Sequence, residues 1–484
     1  MHKYNDLKMW IDGQWVDAES GQTFATLNVT TGEELGRVPL AGQADVDKAV
    51  AAARKAFPIW SEKTPAERSA VLMKIAAAIK DSLDDLALLD ALEHGLPVHI
   101  AKGPTMGAAG NFEMAAAYGR SLEGHVIPSN NNVMYCLERV PIGVCALITP
   151  WNMPLFLMTQ KVALSIVSGN TCILKAPSIN AITSLKFAEI LSKIEGLPPG
   201  VVNVITGPGG SVGNMLATHP DVDCIGFTGS TETGAQIMAA AAPTIKKVIM
   251  ELGGKNPAII MPDANLDHAV EILAHHQFHN CGQACGSPGR YYIHESVYET
   301  FLNKYLEHAK QIVVGDPLDP KTNMGPLVSK EHADNVMRYI ESGIKEGATL
   351  RLGGKRLTDP PFDKGNFIPP TVFTDVTPDM KIYREEIFGP VAVMTTYSSE
   401  EEVIKLANDN HYGLTASIWT KNIARALKLG KKLTVGTFSV NGHNLIAPEA
   451  PWGGVRQSGI GKEGGFQGVL EYTEQKMITI CLKE

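Results

Sequence analysis

Three short stretches of this chain carry side chains that could do chemistry. The first is Phe278-His279-Asn280-Cys281-Gly282-Gln283-Ala284-Cys285-Gly286, in which small neighbours leave the Cys285 thiol approachable. A thiol so placed can be a nucleophile or a metal ligand, and it can also be one more small buried hydrophobe. Cys281 lies four residues earlier and shares the helical face of Cys285 if the preceding helix persists. Zinc needs a second Cys or His pair at ligand spacing, and the chain has no CxxC pair, so no metal is expected. The second stretch is Glu251-Leu252-Gly253-Gly254-Lys255, where a carboxylate ends a strand just before two glycines that let backbone approach a ligand. Such an acid suits a general base, or it caps the following turn. In the third, Asn152 is held between Pro150 and Pro154, rigid enough to aim an amide at a developing oxyanion, although a turn asparagine is the simpler reading.

Two glycine-rich loops could hold phosphates. Gly207-Pro208-Gly209-Gly210-Ser211-Val212-Gly213 and Phe227-Thr228-Gly229-Ser230-Thr231-Glu232-Thr233-Gly234 each join a strand to a helix. The first lacks the GxGxxG spacing and the second lacks the lysine of a P-loop. Either can present helix N-terminal amides to a phosphate, or be only a tight turn.

The elements that position these stretches are legible from apolar periodicity. Short β-branched runs at Ile142–Thr149, Thr171–Lys175, Val201–Ile205, Val222–Phe227 and Lys247–Glu251 alternate with helical segments, which predicts a parallel, doubly wound sheet. Such sheets bind ligands beyond the carboxyl ends of their strands, so the residues after each run are the ones to inspect. A second α/β lobe follows, with strands at Pro257–Met261, Arg290–His294 and Val435–Val440 and a helix from about Asp267. Upstream, alanine-rich helices are expected over residues 45–60 and 64–94. Thr64-Pro65-Ala66-Glu67 supplies a capping box with proline at the first helical position. Gly353–Pro370 reads as a surface excursion, Asn130-Asn131-Asn132 as a hairpin turn, and Lys476–Leu482 as an edge strand.

With 484 residues, the chain exceeds what one core usually carries. Its 44% hydrophobic and 19% charged residues are ordinary for a folded globular protein. A net charge of −8 with no basic run argues against nucleic acid and gives an anionic membrane no foothold. No run of roughly 18 apolar residues could span a bilayer. The N-terminal segment is polar and the seven cysteines are an odd number, which together suit a reducing, cytoplasmic setting.

Together the motifs resemble the NAD(P)-dependent aldehyde dehydrogenase superfamily, in its non-acylating branch, nearly end to end. The resemblance rests on Pro150-Trp151-Asn152, Lys175, Phe227-Thr228-Gly229-Ser230, Glu251 to Lys255, Asn280-x-Gly-Gln-x-Cys285, Glu385-Glu386-Ile387-Phe388-Gly389-Pro390, and Pro451-Trp452-Gly453-Gly454 with Ser458-Gly459. It implies two doubly wound parallel-sheet lobes plus a small β oligomerisation flap. Residues 1–120 and 142–252 would form the dinucleotide-binding domain, 253–469 the catalytic domain, and 121–141 with 470–484 the flap. It further implies Cys285 as nucleophile, Glu251 as general base, Asn152 with the Cys285 N–H as oxyanion hole, and Lys161 as an aid to proton traffic. A nearby carboxylate and a positive nicotinamide ring would help present the thiolate. Trp151, Lys175, Gly209, Ser230, Glu386 and Phe388 would surround the dinucleotide. One position departs from the pattern: NAD-preferring members often carry a glutamate three residues after the strand-end lysine, where this chain has Ser178. NADP use, even preference, is therefore expected beside NAD.

By the same resemblance, Met153, Leu157, Gln160, His279, Ala284, Asn444, Ile446 and Trp452 would line the substrate pocket. Most are apolar, which favours an aromatic or medium-chain apolar aldehyde over one with a polar or carboxylate tail. The rivals are a semialdehyde dehydrogenase, a catalytically silent relative, and an acylating enzyme that uses coenzyme A. The last generally lacks the glutamate base that Glu251 matches. A homodimer or homotetramer is expected from the flap strands.

Overall fold

A computed structural model describes residues 3–130 and 132–482. Two large sheets organise it. In the first, five parallel strands run in the order Lys247–Glu251, Cys224–Thr228, Val144–Ile148, Thr171–Lys175 and Val202–Ile205. The order reverses between Val144–Ile148 and Cys224–Thr228, which creates a crevice at the carboxyl ends of that pair. Nearly every residue of the five strands is buried, as a parallel sheet covered on both faces requires. Alternation sends Cys145 and Leu147 to one face, where the helices Pro65–Asp81, Val98–Gly119, Pro154–Val167 and Ala181–Ser192 pack. It sends Val144, Ala146 and Ile148 to the other, against Gln43–Ser61 and Thr231–Ala241.

The expected strands Thr171–Lys175 and Lys247–Glu251 form with those boundaries, and the other three differ by one or two residues at an end. The Thr64 capping box forms, with the Thr64 N–H donating to Glu67 Oε2 at 2.8 Å and the Glu67 N–H to Thr64 Oγ1 at 3.3 Å. The helical stretch over 64–94 breaks into Pro65–Asp81 and Leu83–Glu93 at Ser82. Three additions to the first sheet are antiparallel and have weak sequence signals. The hairpin Met9–Ile11 and Gln14–Val16 joins beyond Val202–Ile205, and the two-residue strand Gly459–Ile460 pairs with Met250 and Glu251.

The chain passes directly from Glu251 into the second sheet through Gly253 and Gly254. Six parallel strands there run Thr371–Thr374, Val391–Tyr397, Pro288–His294, Asn256–Ile260, Thr415–Trp419 and Thr437–Val440, with antiparallel Thr349–Leu352 at one edge. Residues 353–370 hold no regular element between two strands. A third sheet joins Thr473–Cys481 antiparallel to Val133–Pro141 over nine residue pairs, and His125–Ile127 to the same strand. Val126 and Met477 are more than half exposed on it. Of the expected turn at 130–132, Asn131 lies outside the described residues; Asn130 accepts the Asn132 N–H on its side chain at 2.9 Å. Among the described residues no helix is long and apolar enough to cross a membrane.

Candidate active site

Where the first sheet's carboxyl ends meet the second sheet's amino ends lies a cleft of about 250 Å³. Its walls include Trp151, Asn152, Ser230, Glu251, Cys285, Glu386 and Phe388. Of the first four, Trp151, Asn152 and Ser230 follow strands of the first sheet and Glu251 ends one, as a doubly wound sheet places its ligand contacts. The other three break the expectation that active residues follow strands. Cys285 precedes Pro288–His294, and Glu386 and Phe388 precede Val391–Tyr397.

The segment bearing Cys285 is held in an unusual backbone path. The helix Leu266–Phe278 ends, and Asn280, Cys281 and Gly282 take left-handed conformations at φ 54°, 56° and 68°. Two successive non-glycine residues there cost free energy and persist only where surroundings over-determine them. A Cβ at Gly282 would strike the Gly389 carbonyl, so glycine is required. The shared helical face expected for Cys281 and Cys285 therefore does not exist. Cys281 turns away and donates from Sγ to the Gly325 carbonyl at 3.1 Å.

Asn152 ties the two sides together. Its Nδ2 donates to the Gln283 carbonyl at 3.0 Å, and Asn280 Nδ2 donates to the Asn152 carbonyl at 2.8 Å. Glu251 is buried and accepts the Gly454 N–H at 3.2 Å. Ser458 braces this strand end: its hydroxyl donates to the Gly253 carbonyl at 2.6 Å, while its carbonyl accepts the Leu252 N–H at 3.0 Å. Burial, then the nearby Glu463 carboxylate, push Glu251 up to about 8, against the Gly454 N–H and Lys161. Glu463 was invisible to sequence reasoning. It pairs with Lys161 in a fully buried ion pair, and Trp452 fixes it by reciprocal backbone bonds of 2.6 and 2.7 Å. Its only signal was distant in sequence, across 302 residues from Lys161.

The Cys285 thiol is raised well above its ordinary range by burial, and further by Glu251 and Glu386. That corrects one expectation. As charges the carboxylates oppose the thiolate, so a carboxylate can help only as a proton acceptor. Glu386 accepts the Gly254 N–H at 3.0 Å, and a Cβ at Gly253 would collide with its carboxylate. Burial raises Glu386 to about 7. Phe388, at φ 55°, packs edge-on against Trp151 with ring centroids 5.4 Å apart, and its carbonyl accepts from His332 at 2.8 Å.

Beside the cleft, at the carboxyl end of the neighbouring strand, Lys175 Nζ and Ser178 Oγ each donate to the Gly207 carbonyl at 3.4 Å. Gly209 lies next to Lys175, whose pKa burial lowers to about 8. Ser230 caps the helix Thr231–Ala241 by accepting the Thr233 N–H at 3.2 Å.

The expected pocket residues lie on several elements. Met153, Leu157 and Gln160 lie on and just before the helix Pro154–Val167, and Gln160 is buried beside Lys161. The Asn444 amide fills the space a Cβ at Gly286 would need. Ile446 is exposed and Trp452 buried. Ala284 faces a separate small cavity with Lys255 and Gln277. His279 lines another cavity, of about 350 Å³, with His275, His308, Ile100 and Asn323, rather than the cleft that holds Cys285. Burial, then His275 and His276, push His279 down to about 3, so its imidazole is neutral.

A half-buried thiol, a buried carboxylate and an amide share one cleft between two doubly wound sheets, an arrangement able to support covalent catalysis. The Aldehyde dehydrogenase family model matches residues 15–478, and the chain belongs to that family. It is 40% identical over 473 residues to the betaine aldehyde dehydrogenase of Bacillus subtilis, covering 97% of this chain and 96% of that one. With retinaldehyde dehydrogenase 3 of Rattus norvegicus it shares 42% identity over 482 residues, covering 99% and 93%. The crystal structure of an NAD-dependent aldehyde dehydrogenase from Sinorhizobium meliloti superposes with a TM-score of 0.96 at 38% identity, covering 100% of this chain and 96% of that one.

Proposed function

We propose that this chain oxidises an aldehyde to its carboxylic acid with NAD(P)+ and releases the acid by hydrolysis. The reading is carried by one observation: Cys285, Glu251 and Asn152 line the same cleft. The residues fit a dinucleotide. Lys175 is a buried cation at a strand's carboxyl end, Gly209 leaves room beside it, and Thr228 Oγ1 is a buried polar atom without a partner on the cleft wall. Lys175, Ser178 and Gly209 would hold its adenosine end, Ser230 its phosphates, and Glu386 with Phe388 and Trp151 its nicotinamide riboside. When bound, it supplies the hydride acceptor.

In this reading the Cys285 thiol loses its proton to an ionised Glu251, directly or through water, and its sulfur bonds to the aldehyde carbon. Asn152 Nδ2 and the Cys285 N–H take the oxygen as it becomes an oxyanion. The tetrahedral carbon gives up hydride and leaves a thioester on Cys285. Glu251 passes the thiol's proton to solvent and, ionised again, draws a proton from water as the water oxygen bonds to the thioester carbon; the carbon–sulfur bond then breaks, and the proton on Glu251 returns to the departing thiolate to regenerate the thiol. Lys161 and Glu463 tune Glu251 from behind.

For the substrate, the lining of the cleft that holds Cys285 carries two carboxylates, Glu251 and Glu386, and no Lys or Arg. That supports an aromatic or medium-chain apolar aldehyde over a carboxylate-tailed one. Ser178 beside Lys175 supports acceptance of a 2′-phosphate, hence NADP as well as NAD. The domain limits 1–120 with 142–252, 253–469, and 121–141 with 470–484 are part of the same proposal. So is pairing through the third sheet's exposed apolar strands into a homodimer or homotetramer.

The test is formation of reduced cofactor from NAD and NADP with benzaldehyde, phenylacetaldehyde, hexanal, acetaldehyde and succinic semialdehyde, each with and without coenzyme A. Turnover without coenzyme A, best with the apolar aldehydes, is expected. Dependence on coenzyme A would overturn the hydrolytic reading, and preference for succinic semialdehyde would overturn the substrate class.

A further inference from the structure

The turn that carries Cys285 has five consecutive backbone carbonyls, and every one is held. Gln283 accepts from Asn152 Nδ2 at 3.0 Å, and Ala284 from the Ser287 N–H at 3.0 Å. The Cys285 and Ser287 carbonyls both accept from Asn256 Nδ2 at 2.7 Å. The Gly286 carbonyl accepts from His443 Nε2 at 2.8 Å. Asn256 is itself oriented, since its Oδ1 accepts the Thr415 N–H at 3.2 Å.

His443 is fully buried, 157 residues from Gly286 in sequence, and its tautomer follows from its partners. A carbonyl only accepts, so Nε2 carries the proton. Nδ1 then accepts from the Ser417 hydroxyl at 2.9 Å, which in turn accepts the indole N–H of Trp419 at 3.1 Å. The chain Trp419 to Ser417 to His443 to Gly286 is thus satisfied at each link in one protonation state. Burial, then the neighbouring His276, hold His443 down to about 3, which keeps the imidazole neutral. On the other side of Gly286, the Asn444 amide occupies the space of a side chain.

We infer that His443, with Asn256, is a positioning residue for the nucleophile: the two side chains fix the three successive peptide planes that follow the Cys285 α-carbon and so anchor the backbone from which the thiol projects. The inference rests on the reading of Cys285 as nucleophile. Neither residue lines the cleft, and both are buried behind the turn. Displacing reacting groups by a fraction of an ångström slows chemistry while leaving binding nearly intact.

The experiment compares His443→Phe, His443→Gln and wild type in the full chain by steady-state kinetics and by amide hydrogen exchange of the peptide covering 280–288. Glutamine offers a donor near Nε2 and an acceptor, so it can keep the Gly286 bond. His443→Phe is expected to lower kcat by about 10- to 100-fold with KM changed less than about threefold, and to speed exchange at the turn. His443→Gln should recover most of both. Equal exchange and kcat within about twofold in His443→Phe would overturn the inference, and so would faster exchange with unchanged kcat. Should His443→Phe not fold, His443→Gln and the milder Ser417→Ala decide, both expected to slow kcat and loosen the turn less than the loss of the ring would. If wild type oxidises no aldehyde, the proposed function fails, and the exchange comparison still reads whether His443 holds the turn.

Discussion

The two large sheets share an architecture and use opposite ends of it. The first places Asn152 and Ser230 just after its strands and Glu251 as the last residue of one, along the cleft at its carboxyl ends. The second places Cys285, Glu386 and Phe388 before its strands, in segments forced through left-handed backbone at Asn280, Cys281 and Phe388. The first sheet's contributions therefore follow from topology, with short turns and helix caps doing the positioning. The second sheet's contributions depend on side chains that stitch irregular backbone in place. Asn256 and His443 hold the Cys285 turn, and His332 holds Phe388.

The largest effect that bears on this comparison is expected from Cys285→Ser, which should lower kcat/KM for any aldehyde by about a thousandfold or more. Cofactor affinity, built mainly by the first sheet, should stay within about threefold by fluorescence titration, and loss of both together would dissolve the division of labour. The pH profile comes next. A base raised to about 8 must be ionised to work, so kcat should climb as pH rises through that region. Glu463→Gln removes a like charge and should move the limb to lower pH, whereas Lys161→Met should move it to higher pH; an unmoved limb in both would mean that another group titrates. Ser178→Glu should shift the NADP-to-NAD ratio of kcat/KM about tenfold or more toward NAD, through repulsion of a 2′-phosphate. The smallest effect is expected from His279→Phe. Because His279 lines a separate cavity, selectivity across apolar aldehydes should change less than about threefold, and a larger change would place it in the substrate's path.

Legibility in the sequence follows the same division. The first sheet's strands have strong local signals, because burial on both faces demands uninterrupted apolar, β-branched runs, and the Thr64 cap has its own in Thr64-Pro65-Ala66-Glu67. The helix Val98–Gly119 does not: Gly103, Gly107, Gly110 and Pro104 all argue against it locally. Tertiary packing overrides them, since Gly107 admits the Phe156 ring from the neighbouring helix at 3.0 Å from where a Cβ would stand. The small antiparallel strands Met9–Ile11 and Gly459–Ile460 are too short for a periodic signal. At the site, the motif residues Cys285, Glu251 and Asn152 could be singled out by type and setting. Glu463, His443 and His332 could not, because each acts through a partner far away in sequence. His279 shows the converse: adjacency to a motif does not fix which cavity a side chain enters.

The central claim is that a thiol from one sheet and a carboxylate from the other complete one reaction in one cleft. Steady-state acid release by Glu251→Gln tests it most directly. Aldehyde-dependent acid production is expected to fall by about a hundredfold or more, while the folded protein still binds cofactor and Cys285 can still be alkylated. Undiminished acid production in that variant would contradict it, because water would then be activated without the first sheet's carboxylate.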